Sequence, residues 1–252
     1  MIHGAGQSAG LWRAQVEGLA ASADPLALDL PGHGSNHTEK GEASIAAYAG
    51  KVLDAVADSS LKRVVLCGHS MGGAVVQYLL LHYPRSFKAG ILVNTGARLR
   101  VRPDFLDRIG RDYTQFVDYI YQQSIAVDNQ KGSLLQRFRL VSECPSDVAL
   151  GDYLACDAFD ALHQIGRIQV PVLVVGSQQD HLTPVKYSTY LADRIPGARL
   201  SILPATGHYA PLENPTALNR LIVQFIEVLE GKRADEAADT TGAPDGSLRK
   251  TL

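Results

Sequence analysis

Residues 63–84 read RVVLCGHSMGGAVVQYLLLHYP, and the fold turns on how they are parsed. Val64 to Cys67 is a continuous apolar run without polar alternation, the mark of a strand buried on both faces. A turn bracketed by Gly68 and Gly72 follows, and then an apolar helix that Pro84 stops. Ser70 stands in the middle of that turn. A Gly-x-Ser-x-Gly set between a buried strand and a helix holds its serine on a sharp, strained corner. Side chains at the two flanking positions would collide with the strand and the helix, which is why glycines are needed there. Without the strand and the helix, the same five residues are a glycine-rich turn with a surface serine.

Outward from this corner the chain alternates. Pro25 to Leu30 is a short apolar run leaving into the turn DLPGHGSN, and Ser44 can cap a helix with apolar positions Ile45, Tyr48, Ala49, Val52, Leu53 and Val56. Lys88 to Asn94, Val170 to Gly176 and Ala198 to Leu203 read as further buried strands. A helix is expected from Thr183, with Pro184 in the first helical position, and Asn214-Pro215 repeats that signature before a terminal helix ending near Glu230. Strands alternating with helices predict an α/β fold with a mostly parallel sheet flanked by helices. The core takes residues 1–96 and 167–230. Residues 97–166 show no clear β-run and carry eight of the 17 aromatic residues, so they are predicted to form a helical cap insertion. Residues 231–252, poor in large apolar groups, are predicted to be a disordered tail.

Composition narrows the class. A chain of 252 residues that is 46% hydrophobic can bury a sizeable core. A net charge of -2 gathers neither nucleic acid nor an anionic membrane surface, and points to small neutral or weakly charged partners. Cys67, Cys144 and Cys156 have no paired or zinc-like spacing, so neither a disulfide framework nor a metal site is expected, and a reducing cytoplasmic setting fits. No apolar run approaches a membrane span.

Ser70 as a nucleophile needs a base. His208, in PATGHYAPLENP, follows the last strand, and Asp180, in VVGSQQDHLTP, follows the strand before it. Both stand where an open parallel sheet collects its active site, at strand C-terminal ends. Taken singly, His208 is a surface loop residue and Asp180 a cap for the helix that follows. Taken together, order, loop position and strand context select a hydroxyl, an imidazole and a carboxylate acting as one unit.

HGAGQSAGLW, DLPGHGSN, GHSMGG, VGSQQDHLTP and GHYAPLENP, in that order, make the chain resemble the α/β-hydrolase superfamily over nearly all of residues 1–230. The resemblance implies catalytic Ser70, Asp180 and His208, and an oxyanion hole made by the backbone N–H groups of Ala5 and Met71. It implies no cofactor and no metal. A serine nucleophile separates the chain from the haloalkane dehalogenases and epoxide hydrolases, which place aspartate there, and HGAGQ lacks the proline of many carbon–carbon bond hydrolases. The general look is closest to capped esterases and to enol-lactone hydrolases of the 3-oxoadipate type. The expected activity is cleavage of a small carboxylic ester. Lactone, thioester or carbon–carbon cleavage on the same residues is the first alternative, and an inactive ligand-binding relative is the second. The family carries two strands before the opening HG and most of a third. Met1 and Ile2 supply only the last residues of that third strand, so the stated start is expected to be an internal methionine.

Weaker signals complete the reading. Arg98, Arg100 and Arg102 alternate in ARLRVRPD, as a solvated loop or as a clamp for a substrate carboxylate. Tyr113, Phe116, Tyr119 and Tyr121 read as the insertion's own core. His33, His37, His69, His82, His163 and His181 lack metal-ligand grouping and read as structural or surface residues. Asp29 is expected to fix its own turn, Trp12 to pack the first helix, and Cys67 to be buried.

Overall fold

The computed structural model describes residues 1–59 and 61–231, so the tail expected at 231–252 lies, beyond Gly231, outside the described residues. Four strands, β1 (Val65–His69), β2 (Ala89–Val93), β3 (Val172–Ser177) and β4 (Arg199–Leu203), form one parallel sheet in the order β1-β2-β3-β4. Their register pairs Cys67 with Ile91, Ile91 with Leu173, and Leu173 with Arg199. β2 and β3 are buried at every position, as continuous apolar runs require when both faces are covered.

Successive side chains of each strand point to opposite faces, so the sheet separates two apolar layers. Val172 and Val174 pack with helices α2 (Ile45–Ala57), α3 (Met71–His82) and α8 (Val185–Arg194). Leu173 and Val175 pack on the other side, where α1 (Arg13–Leu19), the short α9 (Ala210–Glu213) and α10 (Pro215–Leu229) lie. Trp12, fully buried, belongs to this second layer.

Between β2 and β3 the chain forms α4 (Pro103–Arg111), α5 (Tyr113–Ser124), α6 (Gly132–Val141) and α7 (Ser146–Ala158). Its two stems meet: Arg98 bridges Asp160 in antiparallel sense, and the Ala161 N–H donates to the Ala97 carbonyl at 2.7 Å. Phe105, Phe116, Tyr119 and Tyr153 make edge-on ring contacts 5.4 to 6.3 Å apart, the aromatic core of this segment.

Two expectations shift. Pro25 to Leu30 forms a single parallel bridge, Leu28 to Ile2, and no named strand. Ile2 also bridges Gly68, so it lies between that run and β1. The helix after Asp180 begins at Val185, with Pro184 extended at ψ 157° as the residue before it. Ser44 caps α2 as read, its hydroxyl accepting from the Ala47 N–H at 3.2 Å.

Candidate active site

Ser70 joins β1 to α3 with φ 51° and ψ -114°, a conformation that non-glycine residues rarely adopt. The turn is held from outside: the Ser70 N–H donates to the Val93 carbonyl at 3.0 Å, and the Ser70 carbonyl accepts from the Thr95 hydroxyl at 2.8 Å. A Cβ at Gly68 would stand 2.1 Å from the Gly72 carbonyl oxygen, and one at Gly72 would stand 2.3 Å from that of Ile2. Helix, strand and the Ile2–His3 segment close on this corner with no space for a methyl group.

Asp180 follows β3 and His208 follows β4, and the His208 Nδ1–H donates to Asp180 Oδ2 at 2.9 Å. Both are buried. The carboxylate also accepts from the Thr183 hydroxyl at 2.7 Å, the Asn94 amide at 2.9 Å and the N–H groups of Leu182 and Thr183. Burial works against its charged form, but His208 and these donors outweigh it and bring the carboxyl down to about 2. The segment around His208 is equally fixed. The His208 N–H donates to the Ser124 carbonyl, while Glu213 accepts from the N–H groups of Gly207 and Tyr209 on either side.

His69 is wholly buried; its Nε2–H donates to the His208 carbonyl, and burial and then His208 push its imidazole down to about 3, so it stays neutral. Ser70 and His208 open into one cavity of about 280 Å³, whose wall also includes Ala5, Leu99, Phe105 and Tyr153. The Ala5 N–H and the Met71 N–H, the latter at the first position of α3, donate to no protein acceptor among the described residues.

The alpha/beta hydrolase family model matches residues 1–221. The chain belongs to that family. This alpha/beta hydrolase is 28% identical over 244 residues to a pimeloyl-[acyl-carrier protein] methyl ester esterase of Neisseria meningitidis, covering 90% of this chain and 92% of the relative. It is 27% identical over 224 residues to 3-oxoadipate enol-lactonase 2 of Acinetobacter baylyi, covering 86% and 84%. Among solved structures, a thermophilic esterase is 31% identical with a TM-score of 0.79, covering 90% of this chain and 88% of that one.

Sequence reasoning did not reach the residues that hold the hydrolase's site together. Asn94, Thr183, Ser124 and Glu213 anchor Asp180 and the His208 loop; strand adjacency brings Asn94 there and the insertion brings Ser124, while Thr183 and Glu213 are near in sequence to the groups they hold. Asp29 does more than fix its turn: besides the Ser35 N–H and hydroxyl, it accepts from the Ala9 N–H at 2.6 Å and ties the opening loop down. Arg98, Arg100 and Arg102 lie beside Asp160, Asp157 and Asp104, and Arg100 and Arg102 reach the cavity rim. Among the described residues no helix is long and apolar enough to cross a membrane.

Proposed function

We propose that the chain hydrolyses a small carboxylic ester through an acyl-enzyme on Ser70. The observation that carries this reading is the buried His208–Asp180 pair, 2.9 Å apart, opening into the cavity that holds Ser70 on its strained turn. With Nδ1–H committed to Asp180, Nε2 is the ring nitrogen left to accept a proton. Ser70 Oγ attacks the ester carbonyl as Nε2 takes its proton. The free N–H groups of Ala5 and Met71 receive the oxyanion, and the proton passes to the departing alcohol. Water, activated by the same imidazole, then releases the acid. Residues 97–166 act as the cap that closes the cavity over this chemistry.

The same residues on a cyclic ester are the second reading, favoured by the enol-lactonase relative. A panel of p-nitrophenyl esters together with 3-oxoadipate enol-lactone separates the two by kcat/KM. Ser70→Ala is expected to lower kcat by at least about 10⁴-fold, and a fluorophosphonate is expected to add its mass to Ser70. Turnover surviving Ser70→Ala rejects the covalent mechanism on Ser70, and a folded chain that neither turns over the esters nor takes the label on Ser70 is a ligand-binding protein.

A further inference from the structure

The DLPGHGSN loop and the fully buried Asp152 of α7 take no part in the chemistry above, yet they converge on the peptide next to Ala5. Asp152 Oδ2 accepts from the Gly6 N–H at 2.8 Å and from His33 Nε2 at 2.8 Å, while Oδ1 accepts from the Tyr48 hydroxyl at 2.5 Å. His33 Nδ1 faces the Pro31 carbonyl at 3.0 Å. Both imidazole nitrogens therefore face atoms that only accept, so His33 is an imidazolium paired with the carboxylate. On the other side of Gly6, the Tyr113 hydroxyl of α5 reaches the Gly6 carbonyl at 3.1 Å and the Ser142 carbonyl at 3.0 Å. Gly6 has φ 65°, and a Cβ there would stand 2.7 Å from the Tyr113 oxygen, so only glycine accepts this grip.

We propose that Asp152, assisted by Tyr113, is a positioning residue for the oxyanion donor. Two helices of the insertion hold Gly6 by its N–H and its carbonyl, and so fix the direction of the neighbouring Ala5 N–H. The inference rests on the serine-hydrolase reading of the site. A buried ion pair stabilises a fold no better than apolar residues of the same volume, so stability gives no reason to place one here. Position does. A donor amide on a glycine-rich loop has no helix or strand of its own: other long-range ties grip the residues before it, Ile2 to Cys67 and His69 and His3 to Leu30, while those at Gly4 are local, to His3 and Gln7. Asp152 and Tyr113 come from more than 100 positions away and make the insertion part of the catalytic frame.

The test compares Asp152→Asn and Tyr113→Phe with the natural chain, using a p-nitrophenyl ester as substrate and an aryl trifluoromethyl ketone as the tetrahedral mimic. Asp152→Asn is expected to lower kcat about 100-fold with KM moving less than about 3-fold, because misdirected donors cost transition-state binding only. Tyr113→Phe is expected to show the same pattern at about 10-fold, and in both variants the ketone's inhibition constant rises in proportion to the loss of kcat/KM. A folded variant with natural kcat and natural ketone affinity, or one that changes KM alone, overturns the inference. Should Asp152→Asn fail to fold by circular dichroism, Tyr113→Phe decides, since it removes one hydroxyl. A natural chain that fluorophosphonate does not label overturns the serine-hydrolase reading and this inference with it; a labelled chain with indifferent variants overturns this inference alone.

Discussion

At the Ser70 corner the obstacles to added side chains are backbone atoms, which cannot swing aside. The carbonyl oxygens of Ile2 and His3 stand 2.3 and 2.6 Å from a Cβ built on Gly72, and that of Gly72 stands 2.1 Å from one built on Gly68. Gly68→Ala is therefore expected to cost at least about 3 kcal/mol, the upper range for overpacking, and to slow fluorophosphonate labelling as Ser70 is displaced. Gly50, inside α2, is the control: nothing stands within 4 Å of its Cβ position, so Gly50→Ala is expected to stabilise by about 1 kcal/mol. Thermal melts of the two variants, shifting in opposite directions, check the pair. The purpose of Gly68 and Gly72 was legible in the sequence because strand, turn and helix are consecutive there. That of Asn94 was not, since Asn94 meets Asp180 only once β2 lies beside β3.

Elements with their signals in one stretch were read nearly to the residue: β1, α2 with its Ser44 cap, β3, and α10 opening on Pro215. Pro25 to Leu30 was not, because a strand is defined by its pairing with a neighbour, which the run itself does not contain. The order of the insertion's helices was equally hidden, and so was its grip on Gly6. Element packing also sets the charge at the cavity mouth. The first turn of α8 and the approach to α4 bring Lys186, Arg100 and Arg102 there, and the lining includes no Asp or Glu. Arg102 is engaged by Asp104 at 3.0 Å and Arg100 lies 3.8 Å from Asp157, whereas Lys186 has no carboxylate partner among the described residues. Lys186→Glu is accordingly expected to raise KM about five-fold for an ester bearing a distal carboxylate and to leave a neutral ester of equal length unchanged, with the difference shrinking in high salt. Equal effects on both esters would show that Lys186 does not meet the substrate.

Across the whole molecule, the buried histidines decide how the fold responds to acid. Burial, and then the neighbouring His33, bring His3 from 6.5 down to about 4, and burial with His208 brings His69 from 6.5 down to about 3. As pH falls below 6.5 the unfolded chain binds protons at both positions while the native chain refuses them, so ν_U exceeds ν_N and stability falls with pH. Each contributes a loss on the order of 3 kcal/mol by pH 4. His33, raised above 6.5 because Asp152 outweighs the burial that opposes its charge, has the opposite sign: its contribution is complete below 6.5 and fades as pH rises through its native value. Asp180, depressed to about 2, keeps its contribution above the unfolded value near 4 and loses it only as pH falls toward 2. The window from 6.5 to 4 therefore belongs to His3 and His69. Thermal melts are expected to drop steeply across it, and His69→Gln, whose amide can carry an N–H to the His208 carbonyl in place of Nε2 but takes up no proton, is expected to flatten the slope. A melting temperature that is level from pH 6.5 to 4.5 in the natural chain, or a slope unchanged by His69→Gln, would mean that these imidazoles are protonated in the native state.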